Sequence, residues 1–237
     1  ITRSLPGVND LFIVAGNDYF SCAVANPASR RCIGFEHWEA PESIHESTIE
    51  NIFSESHLAN PSASYRRVNC AFAGTPSLFV PDALYEKDSA ANQLKLAYGD
   101  WTGSNSILAD DIPELQLKNV HVPESNVQKS ISAVFKQCEF HHSATVRLKY
   151  LMSFSAPGKE PVILAHVRDE VMDVTVVKGK TFLFHNSFRC HSPEEMLYYL
   201  LLVFEQLHVN PETADLFFAG NIDHDSEHFK VARRYVM

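Results

Sequence analysis

Two stretches of the chain, far apart in sequence, follow one pattern, and that repetition constrains the fold more than any single motif. Leu11 to Ala15 is an apolar run, Gly16-Asn17-Asp18 is turn chemistry, and Tyr19 to Ala25 resumes β-forming residues. Asn26 to Ser29 turns again and Arg31 to Trp38 supplies a third strand. Val162 to Val167, the turn Arg168-Asp169-Glu170, Val171 to Val177, the hairpin Lys178-Gly179-Lys180 and Thr181 to Phe188 repeat the order. Laid side by side, Asp18 falls on Asp169, and Phe35-Glu36-His37 on Phe184-His185-Asn186. A helix and a further strand follow each meander, Val68 to Ala73 in one and Leu216 to Ala219 in the other. Strand-strand-strand-helix-strand met twice predicts an internal duplication and an α/β chain.

The intervening segments read as follows. Pro41 to His57 has helical spacing of Ile44, Ile49, Ile52 and Phe53, and Pro81 to Leu96 is a loop leading into a helix. Gly99 to Glu114, polar and carrying the acidic pair Asp110-Asp111, reads as a surface loop. Lys118 to Val122 is a strand, and Pro123 opens a helix through Cys138 on the stripe Val127, Ile131, Val134, Phe135 and Cys138. Glu139 to His142 is a short strand, in which adjacent His141 and His142 must face opposite ways, one buried and one exposed. A helix follows from Ser143, and Ser155 to Lys159 is the linker candidate, dividing the chain into domains 1–155 and 156–237. Ser192-Pro193-Glu194-Glu195 starts a helix that runs to Leu207 and is apolar nearly all round, so both of its sides are expected to be covered. A final helix over Asp225 to Tyr235 closes the chain.

With 237 residues, the chain has room for one large domain or two small ones. Its formal charge of -9 argues against nucleic acid as a partner, which needs a basic footprint. The longest apolar run, Met196 to Phe204, is under half of the roughly 20 residues that cross a bilayer, so no membrane insertion is expected. Five scattered cysteines without a CxxC pair predict buried thiols in a reducing, cytoplasmic setting.

Two tandem units of three antiparallel strands, a helix and a returning parallel strand resemble the ribonuclease-H-like fold in its actin-like ATPase arrangement. The second half, from Val171 to Phe188 through Leu197 to Leu207 to Phe218-Ala219-Gly220-Asn221, resembles the PilM-type pilus-assembly proteins. More closely, the chain resembles a bacterial family defined as domain of unknown function 3822. That resemblance rests on Leu78 to Tyr85, Asn119 to Glu124, His142 to Thr145, and the leucine-rich helix with Gly220-Asn221-Ile222-Asp223. It implies two ribonuclease-H-like lobes with mixed sheets and helices. In that superfamily two Asp-x-Gly turns cradle phosphate and place a metal through water. Here the turns read Ala15-Gly16-Asn17-Asp18 and Val167-Arg168-Asp169-Glu170, and the adenosine-binding Gly-Gly is reduced to Ala219-Gly220-Asn221. The expectation is a non-enzymatic interaction or scaffold protein without a cofactor, holding a protein partner as the PilM-type proteins do. The alternative is an ATP- and Mg-binding protein with an unorthodox site of Asn17, Asp18, Arg168, Asp169 and Gly220.

His224-Asp225-Ser226-Glu227-His228 matches the inverted zincin pattern and offers a weaker alternative, a zinc hydrolase. A solvated helix start with acidic residues near the positive end of its dipole accounts for the same five residues, and no metal site is assigned. Phosphate-loop, Rossmann and nucleophile-elbow motifs do not occur.

Overall fold

The structure, a computed structural model, describes residues 7–40, 44–99 and 106–236. They form two compact units that divide between Val146 and Arg147.

The first unit opens with β1 (Asp10–Ala15), β2 (Tyr19–Asn26), β3 (Arg31–Glu39), α1 (Glu46–Glu55) and β4 (Arg67–Phe72). β5 (Ser77–Pro81), α2 (Ala90–Tyr98), β6 (Leu108–Ile112), β7 (Leu117–His121), α3 (Ser125–Val134) and β8 (Cys138–His142) follow, and α4 (Ser143–Met152) contains the division between the units. β3-β2-β1-β4-β8 make a five-stranded sheet, antiparallel over its first three strands and parallel across β1, β4 and β8. Strand alternation sends Leu11, Ile13 and Ala15 inward, where they meet Ile49, Ile52 and Phe53 of α1 and Val127 and Ile131 of α3. Phe53 stands edge-on to both Phe20 and Phe135. β5-β7-β6 form a separate small antiparallel sheet, covered by Leu94 of α2.

Three expectations are corrected in this unit. The first helix starts at Glu46, later than Pro41, whose position lies outside the described residues. α3 ends at Val134 and Cys138 opens β8; the helical stripe ran on because Phe135 and Cys138 pack into the same core. The segment read as a surface loop contains β6, on which Leu108, Asp110 and Ile112 share a face.

The second unit holds β9 (Val162–Arg168), β10 (Val171–Lys178), β11 (Thr181–Arg189), α5 (Pro193–Gln206), β12 (Asp215–Gly220) and α6 (Glu227–Arg233). Its sheet order, β11-β10-β9-β12, repeats β3-β2-β1-β4, with β12 parallel to β9 as β4 is to β1. The registers fix the correspondence residue by residue. Ala15 lies between Phe20 and Phe72, and Val167 between Met172 and Gly220. The amide after each parallel strand returns to these residues: Ala73 to the Ala15 carbonyl at 2.9 Å, Asn221 to that of Val167 at 2.7 Å. Likewise Ala40 donates to Asp18 at 2.6 Å and Cys190 to Glu170 at 2.7 Å. Register shifts fall after Val24 and after Val176, at the same step of each second strand.

Asp18 therefore corresponds to Glu170, and Asn17 to Asp169, one residue away from the sequence alignment. The third strands are offset in the same way: Phe35 lies opposite Ala23 and His185 opposite Thr175. A one-residue slip changes faces, so Phe184 packs on the core while Phe35 is exposed. α5 carries one buried stripe, Met196, Leu200, Val203 and Phe204, capped by Ser192, which accepts from the Glu195 amide at 3.2 Å. Its far side is not covered throughout. Tyr198 is 61% exposed, a position its amphipathic ring tolerates.

Candidate functional site

Ligands of open α/β sheets bind beyond the carboxyl ends of the parallel strands, which makes the turns at those ends the first place to look. In the first unit Gly16 donates to the Tyr19 carbonyl at 2.9 Å, closing a two-residue turn of Asn17 and Asp18. The face of Gly16 is taken: a Cβ there would stand 2.0 Å from the Tyr19 ring. Asn17 Nδ2 donates to the Gly74 carbonyl at 3.2 Å, tying the turn to the residues after β4, and its carbonyl accepts from Ile44 at 3.0 Å. In the second unit Arg168 Nε lies 3.5 Å from the carboxylate of Asp169, which holds a left-handed φ of 49°. Gly220, at φ 91°, permits contact with β9; a Cβ would lie 2.0 Å from the Val167 carbonyl. So Asn17 and Asp18 share one turn, while Arg168, Asp169 and Gly220 gather at one strand end. In both units the glycine serves contact within the chain.

A buried polar cluster lies outside the candidates. Asp110 of β6 is 6% exposed, and its carboxylate accepts from the His142 amide at 2.8 Å and the Thr145 hydroxyl at 2.6 Å. His141 Nδ1 is 3.0 Å from it, and the fully buried His121 Nε2 3.6 Å. Asn119 of β7 completes the set, donating to Thr145 at 2.9 Å. Burial opposes the charge on Asp110, but His121, His141, the His142 amide and Thr145 outweigh it and hold the carboxyl well below the usual carboxylate range. The cluster locks the small sheet to β8 and α4. His142 is buried as one of the pair was expected to be, whereas His141, expected to be exposed, is half-buried because its ring reaches Asp110. Nothing separates Asp110 from its exposed neighbour Asp111 in sequence except the face it shares with Ile112.

A second cluster lies on the sheet face of the second unit opposite α5. Arg147 Nη2 donates to Asp173 at 2.5 Å, Ser187 donates to the other carboxylate oxygen at 2.5 Å, and Thr175 Oγ1 is 2.9 Å from His185 Nδ1. Burial, helped by Arg147, lowers His166 to about 4; burial likewise lowers His185 to about 4. Both are neutral near pH 7.

The zincin-like residues are separated by a helix start. Ser226 is the N-cap of α6, so His224 precedes the helix, its ring edge-on to Phe229, while Glu227 and His228 lie within it. Among the described residues no three His, Cys, Asp or Glu side chains are placed to hold a metal ion. All five cysteines are free thiols, and burial pushes Cys22 and Cys138 up to about 12 and Cys190 to about 11, away from thiolate chemistry.

Comparison with solved structures places the fold. A Bacteroides thetaiotaomicron protein, described as having an actin-like ATPase fold and unknown function, aligns over 100% of this chain and 91% of its own, with 22% identity and a TM-score of 0.86. The cytoplasmic domain of EpsL, an inner membrane component of the Vibrio cholerae type II secretion system, aligns over 97% and 96% with 10% identity and a TM-score of 0.47. The PilM-PilN type IV pilus biogenesis complex aligns over 84% and 67% with 11% identity and a TM-score of 0.47. A comparison with curated proteins finds no match. The chain has an actin-like ATPase fold, and over residues 6–237 it matches, and belongs to, the family described as Protein of unknown function (DUF3822).

Proposed function

We propose that this chain is a non-catalytic interaction protein, built on an actin-like fold whose phosphate turns no longer serve a nucleotide. The observation that carries this reading is the use of the turn glycines. A phosphate-cradling turn presents open backbone amides beside a glycine, whereas the Gly16 amide is spent on the Tyr19 carbonyl and its face on the Tyr19 ring, the second turn has no glycine, and Gly220, at the adenosine-side position, packs on the Val167 backbone. The residues present do not fit ATP and Mg. Titration calorimetry of the full chain with ATP and ADP, with and without Mg2+, tests it. No binding heat is expected. Binding at micromolar concentration, weakened by Asp18→Ala or Arg168→Ala, would transfer the assignment to an ATP-binding protein using Asn17, Asp18, Arg168, Asp169 and Gly220.

The matching sheet orders and turn hydrogen bonds support an internal duplication as the origin of the two units. Five free thiols support a reducing, cytoplasmic setting, and the net charge of -9 a partner other than nucleic acid. No helix among the described residues is long and apolar enough to cross a membrane.

A further inference from the structure

The two main sheets end differently on their parallel side. Beyond β4 the first unit continues with β8, parallel and in register from Val68 opposite Cys138 to Phe72 opposite His142. β12 holds the place of β4 in the second unit, and among the described residues no strand lies beyond it. A strand edge presents a row of backbone donors and acceptors, which is a template for another chain. Against this edge lies a groove of about 330 Å³, with Leu216 and Phe218 on one wall and Phe229, Arg233 and Val236 on the other. The last three recur at i, i+4 and i+7, so α6 and the residue run after it turn one face to the groove. Phe218 and Phe229 meet edge to face at 5.8 Å, leaving an apolar floor. Asp215 and Ala214 line the groove at the start of the strand. Arg233 is exposed, and no carboxylate among the described residues pairs with it.

We propose that the outer edge of β12, with the groove between it and α6, takes an extended segment of a partner protein as a parallel fifth strand. The proposal rests on the non-catalytic interaction reading above and names its surface. The first unit shows what completes such an edge. There Phe140 of β8 lies opposite Cys70, the residue equivalent to Phe218, and stacks on Phe72 at 5.7 Å. The incoming segment is therefore extended, carries an apolar side chain opposite Phe218, alternates apolar with polar residues, and brings a carboxylate to Arg233. Main-chain hydrogen bonds give it affinity and the groove gives it specificity.

The test is selection of 12-residue peptides from a random phage-displayed library on the full chain. The enriched peptides are then synthesised and followed by backbone amide exchange. Expected are peptides of alternating apolar residues with an acidic residue, which slow exchange at alternate amides of residues 215–220 and leave β1 unchanged. Arg233→Glu, an exposed change that leaves the core intact, is expected to weaken them about fivefold. Three outcomes overturn the proposal: no enrichment, peptides that leave residues 215–220 unprotected, or affinity indifferent to Arg233→Glu. Self-association of the chain through residues 215–220, read by sedimentation, overturns it too, because the edge then belongs to a second copy. Nucleotide binding in the calorimetric test would overturn the non-catalytic reading without touching the peptide result, so the two failures are separable.

Discussion

Gly220 and Gly99 both hold positive φ, 91° and 75°, yet their surroundings differ. At Gly99 nothing lies within 4 Å of where a Cβ would stand, whereas at Gly220 the Val167 carbonyl is 2.0 Å away. Gly99→Ala should cost about 1–3 kcal/mol, the strain of a glycine-only backbone conformation alone, while Gly220→Ala should cost clearly more because β12 must also move off β9. Urea midpoints of the two variants check this; equal losses would mean that the strand contact carries no weight. Asp110→Asn probes the buried cluster, and removing a charged acceptor from two short hydrogen bonds should cost on the order of 2–3 kcal/mol at pH 7. The sign of its pH dependence follows from the lowered pKa. The ionised form is favoured in the folded chain, so its stabilisation is full above about pH 4 and is lost as pH falls through the folded value. The variant should lack that acid-side loss, which chemical denaturation between pH 5 and 3 measures. Neither site was legible as such in sequence. Gly220 stood out as a worn nucleotide motif, and its real constraint, a backbone at contact distance, involves Val167, 53 positions earlier in the chain. Asp110 looked like half of a solvated acidic pair, because an aspartate's burial depends on partners from β7, β8 and α4 that no local pattern announces.

At the scale of elements, alternation and caps read well and registers did not. Both meanders, α5 with its Ser192 cap and the strand pair flanking it were visible because each signal is local: period-two burial, turn residues, a proline at the first helical turn. The correspondence between meanders slipped by one residue because Asp18 and Asp169 are chemically alike, while turn geometry, which sequence does not show, aligns Asp18 with Glu170. The slip has consequences for the face opposite α5. Phe35 in the first unit is replaced by His185 in the second, and Val14 by His166, so the second sheet carries two histidines near Asp173 and Arg147. Their folded values of about 4 lie below the ordinary value near 6.5. Protonation between those limits favours the unfolded chain. The second unit should therefore hold its full stability above pH 6.5 and lose up to about 3 kcal/mol per histidine as pH falls to 4. His185→Phe, which installs the residue that the first unit uses, should flatten that slope in denaturation curves taken from pH 7 to 4. A slope unchanged by the substitution would assign the acid lability to other groups.

For the molecule as a whole, the duplicated order was the feature that sequence carried furthest, because two copies of one pattern constrain topology even when each copy alone is ambiguous. Where to divide the chain was harder. Ser155 to Lys159 has linker composition, and residues 157–160 are exposed, yet the compact units part at Val146 and Arg147, within α4. The physical reason lies in what the second sheet needs on its histidine-bearing face. Arg147 neutralises Asp173 there, and Phe154 packs on Phe217 with ring centroids 5.1 Å apart. Leu164 and Thr175 on the same face are 2% and 1% exposed. A fragment of residues 156–237 loses both Arg147 and Phe154. It leaves the Asp173 carboxylate without its guanidinium partner and bares apolar surface at about 25 cal/mol per Å2. We propose that a fragment of residues 143–237 unfolds cooperatively in urea, and that one of residues 156–237 has a clearly lower midpoint or a broad transition. Restoring the midpoint of the short fragment in full should require Arg147 and its helix as well as Phe154, so adding residues 153–155 alone should restore only the share that belongs to Phe154 packing on Phe217. If the two fragments unfold alike, Ser155 to Lys159 is the working boundary and α4 belongs with the first unit. The strongest single comparison is Arg147→Met in the long fragment. It keeps the helix and its length but removes the charge, and it should reproduce only part of the loss seen in the short fragment, the remainder belonging to packing at Phe154.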